Sequence, residues 1–189
     1  MTDLVLTLIG PDRPGLVEAV AEVIASHGGN WLESRMAHLA GKFAGILRVE
    51  VPAARVAPLS AALAALQERG LRVVAEPSDG SEQPAPDEAR TMDLELVGLD
   101  RPGIVREISQ ILARSGANVE ELSTNRSSAP MSGEMLFSAK TRIRLPPHAD
   151  VARLRAGLER MASDLMVEIR LVETALETKG RARSLELVG

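Results

Sequence analysis

The sequence predicts an α+β chain of two βαββαβ modules, each a four-stranded antiparallel sheet with two helices on one face. Three observations carry this expectation. G-P-D-R-P-G-L at Gly10 to Leu16 returns 88 residues later as G-L-D-R-P-G-I at Gly98 to Ile104, and the same offset takes Asp12 onto Asp100, Gly28 onto Gly116 and Asn30 onto Asn118. A spacing shared over that length is an internal duplication. Each copy also stands between a run of period two and a run of helical period. Between the copies, Pro77, Pro84 and Pro86 with Asp79, Glu82, Asp87 and Glu88 form a stretch that cannot build a core. The modules are therefore expected over 1–76 and 91–173, with 77–90 as a linker and 174–189 as a C-terminal tail.

The elements follow in order. Leu4, Leu6 and Leu8, like Met92, Leu94 and Leu96, alternate with outward positions and give a first strand with one inward face. Pro14 and Pro102 suit the first position of a helix, where a missing N–H costs nothing. Leu16, Val17, Val20, Val23 and Ile24 then form an apolar stripe, repeated by Ile104, Val105, Ile108, Ile111 and Leu112. Gly28 and Gly116 stop both helices. A second strand starts at Asn30 and Asn118, and a third spans Phe43 to Val51 and Phe137 to Leu145.

A second helix, marked by Val56, Leu59, Leu63 and Leu66 and by Val151, Leu154, Leu158 and Met161, precedes last strands near Leu71 to Glu76 and Met166 to Val172. The offset grows along the chain, and Ser127 to Gly133, a hairpin tip by composition, takes up most of the extra length. Right-handed crossovers then leave the ferredoxin-like arrangement, with the first and third strands as central neighbours.

Composition narrows the function. Basic and acidic side chains nearly cancel in 1–76 and again in 91–173, and the net charge is −4. Trp31, Phe43 and Phe137 are the whole aromatic complement and the tail's Lys179, Arg181 and Arg183 are too few to dominate phosphate affinity, so direct nucleic-acid binding is not expected. The row Lys140, Arg142 and Arg144 is expected on the sheet face away from the helices, screened by Asp93 and Glu95. No stretch has the apolar length to span a bilayer, and Met1-Thr2-Asp3 lacks the start of a signal peptide, which implies a cytoplasmic protein.

Catalysis has little raw material. There is no Cys or Tyr, and His27, His38 and His148 fall in different elements without metal-ligand spacing, so no metal site, no cofactor and no enzyme are expected. The G-x-D-R-P-G turn instead puts free N–H groups and a positive helix end beside polar side chains, where a carboxylate can sit. The plainer reading is that aspartate and proline start a helix. Asn30 and Asn118 offer a donor and an acceptor to an amino acid, yet asparagine after glycine is also ordinary turn chemistry.

Two βαββαβ units, each with D-R-P-G ahead of its helix and then a glycine and an asparagine at its second strand, resemble a pair of ACT domains from Thr2 to Val172. The resemblance implies a regulatory, homo-oligomeric protein that binds a small ligand, commonly an amino acid. The ligand would lie where the turn after the first strand of one unit meets the second-strand start of its neighbour. It implicates Asp12, Arg13, Gly15 and Asn30 in the first copy and Asp100, Arg101, Gly103 and Asn118 in the second.

Enzymes with this module type carry a catalytic module after it, and none follows within these residues. A stand-alone tandem of this length is similar to a transcriptional regulator of glycine cleavage type that acts through a partner protein; no side chain singles out the ligand, and glycine and serine are the first amino acids to try. The other reading is an unliganded interaction module that regulates or scaffolds an enzyme of amino-acid metabolism.

Two further expectations concern surfaces. The outward positions of the central strands are Val5, Thr7, Ala44 and Ile46 in the first copy but Asp93, Glu95, Ser138 and Lys140 in the second. The first face is therefore expected to be covered, by the other module, a second chain or tail residues Leu185, Leu187 and Val188, and the second to stay solvated. Limited proteolysis is expected to cut first within 78–89, and early cleavage inside Leu16 to Ile24 or Ile104 to Leu112 would contradict the proposed boundary.

Overall fold

The computed structural model describes residues 1–78, 89–130 and 133–173. The chain divides into two compact units, Met1–Glu82 and Gln83–Gly189. In the first, β1 (Thr2–Pro11), α1 (Leu16–Ser26), β2 (Asn30–Leu39), β3 (Lys42–Val51), α2 (Val56–Ala65) and β4 (Arg72–Pro77) form a sheet of order β2-β3-β1-β4. In the second, β5 (Arg90–Leu99), α3 (Ile104–Arg114), β6 (Asn118–Ser128), β7 (Met135–Leu145), α4 (Val151–Leu165) and β8 (Val167–Glu173) repeat it as β6-β7-β5-β8. Every pairing is antiparallel, and the first and third strands of each module are central, as the crossovers require.

Alternation decides which side chains enter the core. Leu4, Leu6 and Leu8 point inward with Leu47 and Val49 opposite, and Leu16, Val20 and Ile24 of α1 and Leu59 and Leu63 of α2 close the layer. Leu94, Leu96, Ile108, Leu112, Leu154 and Leu158 build a separate core in the second module. Each module thus buries one sheet face under two helices, the only arrangement in which helices of this length bury their stripes.

Some local expectations are corrected. The helices begin at Leu16 and Ile104, after Gly15 and Gly103 in left-handed conformation (φ 84° and 97°), so Pro14 and Pro102 lie in the preceding turn. Val17 and Val105 of the apolar stripes are 46% and 41% exposed, because they sit one residue, a 100° rotation, away from the buried Leu16 and Ile104. Ser127 and Ser128 pair with Leu136 and Met135, so the longer second hairpin loop starts only at Ala129. The first hairpin is tight: Leu39 pairs with Lys42 across Ala40 and Gly41, both at positive φ.

At the expected linker, β4 runs through Pro77, the Ser78 N–H donates to the Asp3 carbonyl (2.9 Å), and β5 begins at Arg90. The expected linker residues 79–88 and the tail 174–189, with Leu185, Leu187 and Val188, lie outside the described residues.

Candidate functional site

The turn between β1 and α1 is built the same way in both modules. The Asp12 N–H donates to the Gly41 carbonyl (2.9 Å), and the Asp12 carboxylate faces His38 Nε2 at 3.4 Å. In the second module the Asp100 N–H donates to the Met135 carbonyl (2.8 Å), and its carboxylate pairs with Arg126 at 2.6 Å. Each aspartate thus ties the turn to the hairpin end of the sheet. The backbone then swings into the left-handed glycine, and among the described residues no side chain caps the first N–H groups of either helix. Helix α4, by contrast, is capped by Asp150, which accepts from the Arg153 N–H at 2.9 Å.

Beside the uncapped start of α1 is a hollow of about 250 Å³ lined by Arg13, Gly15, Glu18, Glu22, Leu66 and Arg69, among others. Arg13 donates through Nη2 to the carbonyl of Arg69, which closes the 3-10 turn Leu66–Arg69 that follows α2. The Glu18 carboxylate lies over the turn, with Oε2 3.7 Å from where a Cβ on Gly15 would stand. Two acidic and two basic residues therefore line a small space beside a positive helix end. That combination suits a zwitterion, whose carboxylate and ammonium need opposite partners within a few ångströms.

Arg13 and Gly15 of the expected site line this hollow, and Asp12 does not. Glu18, Glu22 and Arg69, which line it as well, are not among the residues expected from the sequence. The i, i+4 spacing of the two glutamates was visible, but not that the 3-10 turn Leu66–Arg69 after α2 lines the hollow with them. At the corresponding second-module positions, Arg106 and Gln110 replace the glutamates and Asp164 replaces Arg69, so the charge pattern is not repeated. There Arg101 is half-buried and Gly103 has no atom within 4 Å of a built Cβ.

The asparagines lie elsewhere. Asn30 pairs with Glu50 while Pro11 pairs with Lys42, eight positions along the same strand, so the turn and the asparagine are about 26 Å apart at opposite ends of the sheet. Asn118, opposite Arg144, stands equally far from Leu99, opposite Leu136. Both asparagines are exposed, and both precede a bulge, between Trp31 and Glu33 and between Val119 and Glu121. A ligand held at a turn is beyond reach of the asparagine in the same module.

The basic row of the second module is neutralised as expected. Arg142 meets Asp93 at 3.1 Å, Lys140 meets Glu95 at 3.2 Å and Arg144 meets Glu120 at 3.1 Å. The hydrogen bond and charge of Asp93, helped by Glu121, push the Arg142 pKa up. His27 Nδ1 lies 2.8 Å from the Val23 carbonyl, at the end of its own helix. Among the described residues no three His, Asp or Glu side chains are grouped to hold a metal ion, and no helix is long and apolar enough to cross a membrane.

Comparison with known proteins agrees with the two-module architecture. One ACT-domain model matches residues 2–76 and another matches residues 92–156. The crystal structure of an unknown protein from Galdieria sulphuraria superimposes with a TM-score of 0.78 at 29% identity, over 92% of this chain and 99% of that one. A candidate glycine cleavage system transcriptional repressor superimposes with a TM-score of 0.68 at 19% identity, over 92% and 97% of the two chains, a likeness of fold. No curated protein matches the sequence.

Proposed function

We propose that this chain, which belongs to the ACT-domain family, is an amino-acid-responsive regulator that holds its ligand at the start of α1. The observation that carries the reading is the hollow beside Gly15, where Arg13, Arg69, Glu18 and Glu22 supply both signs of charge next to an uncapped helix end. Its volume of about 250 Å³ favours a small amino acid, glycine or serine first. The response is proposed to pass to a partner protein, in the manner of a transcriptional regulator of glycine cleavage type. Support for that part is the tandem layout shared with the candidate repressor, together with a near-neutral charge that suits a protein partner better than DNA. The other reading, an unliganded module that regulates or scaffolds an enzyme of amino-acid metabolism, is favoured by the exposed apolar face of the first sheet.

Thermal unfolding with and without amino acids tests the proposal. A ligand at a hundred times its dissociation constant stabilises the fold by about 2.7 kcal/mol. Arg13→Ala and Glu22→Gln are expected to abolish that shift while leaving the ligand-free melting temperature within about 2 °C, since both side chains are exposed. Asn30→Ala and Asn118→Ala test the remaining residues implied by the family. A lost shift with an unchanged ligand-free transition makes the asparagine a ligand group, and the opposite pattern makes it a turn residue. No shift with any common amino acid would contradict the proposal.

A further inference from the structure

We propose that the open face of the first sheet is an interface between two copies of this chain, packed face to face with their strands reversed. Strand pairing sorts the outward side chains of that face into rows across β2, β3, β1 and β4. The middle row is Arg35, Ile46, Thr7 and Val74; the row nearer the hairpin is Ala37, Ala44, Ile9 and Arg72; the row on the other side is Glu33, Arg48, Val5 and Glu76. Ile46, Val74 and Ile9 are 48%, 46% and 40% exposed, and a concavity of about 610 Å³ lies over the middle and hairpin rows. An apolar centre of that kind on two adjacent strands and their neighbours calls for cover. The matching face of the second module shows the contrast, since its ion pairs between Asp93 and Arg142 and between Glu95 and Lys140 are at home in water.

Charge and side-chain size single out a second copy. The rows run from basic to acidic: Arg72 marks the hairpin side of β4, and Glu76 marks the far side. A two-fold axis lying across the strands, through the middle row, sets the hairpin row of one copy over the far row of the other and keeps each strand over its own equivalent. Arg72 then faces the partner's Glu76, and Ile9 faces the partner's Val5. The small Ala37 and Ala44, which open the concavity, lie opposite the partner's Glu33 and the partner's Arg48, two of the longest side chains on the face. Ile46 and Val74 meet their own equivalents at the axis. At the β2 edge the two Arg35 side chains approach each other, each one row from the partner's Glu33. Facing sheets keep their strands within about 30° of each other, so these correspondences hold best near the axis.

The competing arrangements fit less well. An axis along the strands would set Glu33 over the partner's Glu76 twice per interface, against the single approach of Arg35 to its own equivalent in the arrangement above. The second module's face, as the cover, would have to strip water from its own ion pairs to bury an apolar surface.

Light scattering on the full chain, with charge reversals, tests the interface. The unmodified chain is expected at twice the chain mass at tens of micromolar. Arg72→Glu and Glu76→Arg are each expected to give the single-chain mass, because each sets like charges against each other twice. The double variant restores the pairing with its sign exchanged and is expected to regain the double mass, and adding Ile46→Lys to it is expected to abolish the dimer again. Both charged side chains are exposed, so unchanged circular dichroism and melting temperatures serve as the folding control. A single-chain mass for the unmodified protein overturns the proposal, whether the face is then open or covered from within the chain. Unchanged mass in either single reversal, or failure of the folded double variant to dimerise, overturns it as well.

Discussion

Leu6→Ala and Leu94→Ala are each expected to cost about 3–5 kcal/mol, and each to lower the transition of one module only. Both residues sit on the central strand of their sheet, Leu6 with none of its surface exposed and Leu94 with 1%. Each is packed in the core between its sheet and the two covering helices. Truncation of such a leucine loses the transfer free energy of three carbons and leaves a cavity, which together reach about 3–5 kcal/mol in close-packed cores. The cores do not share residues, since one holds Leu4 to Val73 and the other Met92 to Leu171. Amide hydrogen exchange on the two variants checks this. Leu6→Ala should accelerate exchange in β1, β3 and α2 while β5 and β7 keep their protection, and Leu94→Ala should do the reverse. Equal acceleration in both modules would mean that they unfold as one unit.

Gly98→Val is expected to cost about 3 kcal/mol or more, through overpacking and the backbone shift it forces. A Cβ at Gly98 would stand 2.3 Å from Val167 Cγ1 and 2.9 Å from Val167 Cα, where the central β5 crosses the start of β8. Val167 is itself buried and cannot swing aside. Gly10 occupies the same place in the first module, with its built Cβ 2.7 Å from the Gly70 carbonyl. The first glycine of the repeated G-x-D-R-P-G motif is therefore a packing residue, and Gly15 and Gly103 are the ones required by left-handed backbone. A Gly98→Val protein that melts like the unmodified chain would show that β8 can shift away from β5.

The contrast between these glycines shows what the sequence made legible. Period-two runs such as Leu4, Leu6 and Leu8 and helical runs such as Val151, Leu154 and Leu158 mark elements because burial on one face repeats with the geometry of the element. The duplication added connectivity, since elements that recur in the same order must solve the same packing problem. What stayed hidden depends on contacts between segments remote in sequence. Asp12 looked like an acceptor at a helix start, but its partner, His38, is 26 residues away at the far end of β2. Nothing in the spacing of Glu18 and Glu22 shows that Arg69, in the short 3-10 turn that follows α2, lines the same hollow. Asn30 follows the helix closely in sequence, yet β2 starts at the end of the sheet opposite the turn. The proline rule also misplaced the start of α1 by two residues, because a left-handed glycine terminates the turn more sharply than proline starts the helix.

The most direct test of the account is amide chemical-shift mapping of the full chain during titration with glycine and with serine. The predicted result is a saturable shift of the Leu16, Val17 and Glu18 amides, the N–H groups at the uncapped start of α1, with one ligand bound per chain and no change at Ile104, Val105 and Arg106, where the glutamates are replaced. Shifts confined to the second module or to the open sheet around Ile46, or equal shifts at both helix starts, would contradict the assignment of the site. A spectrum unchanged by every common amino acid would contradict amino-acid sensing itself.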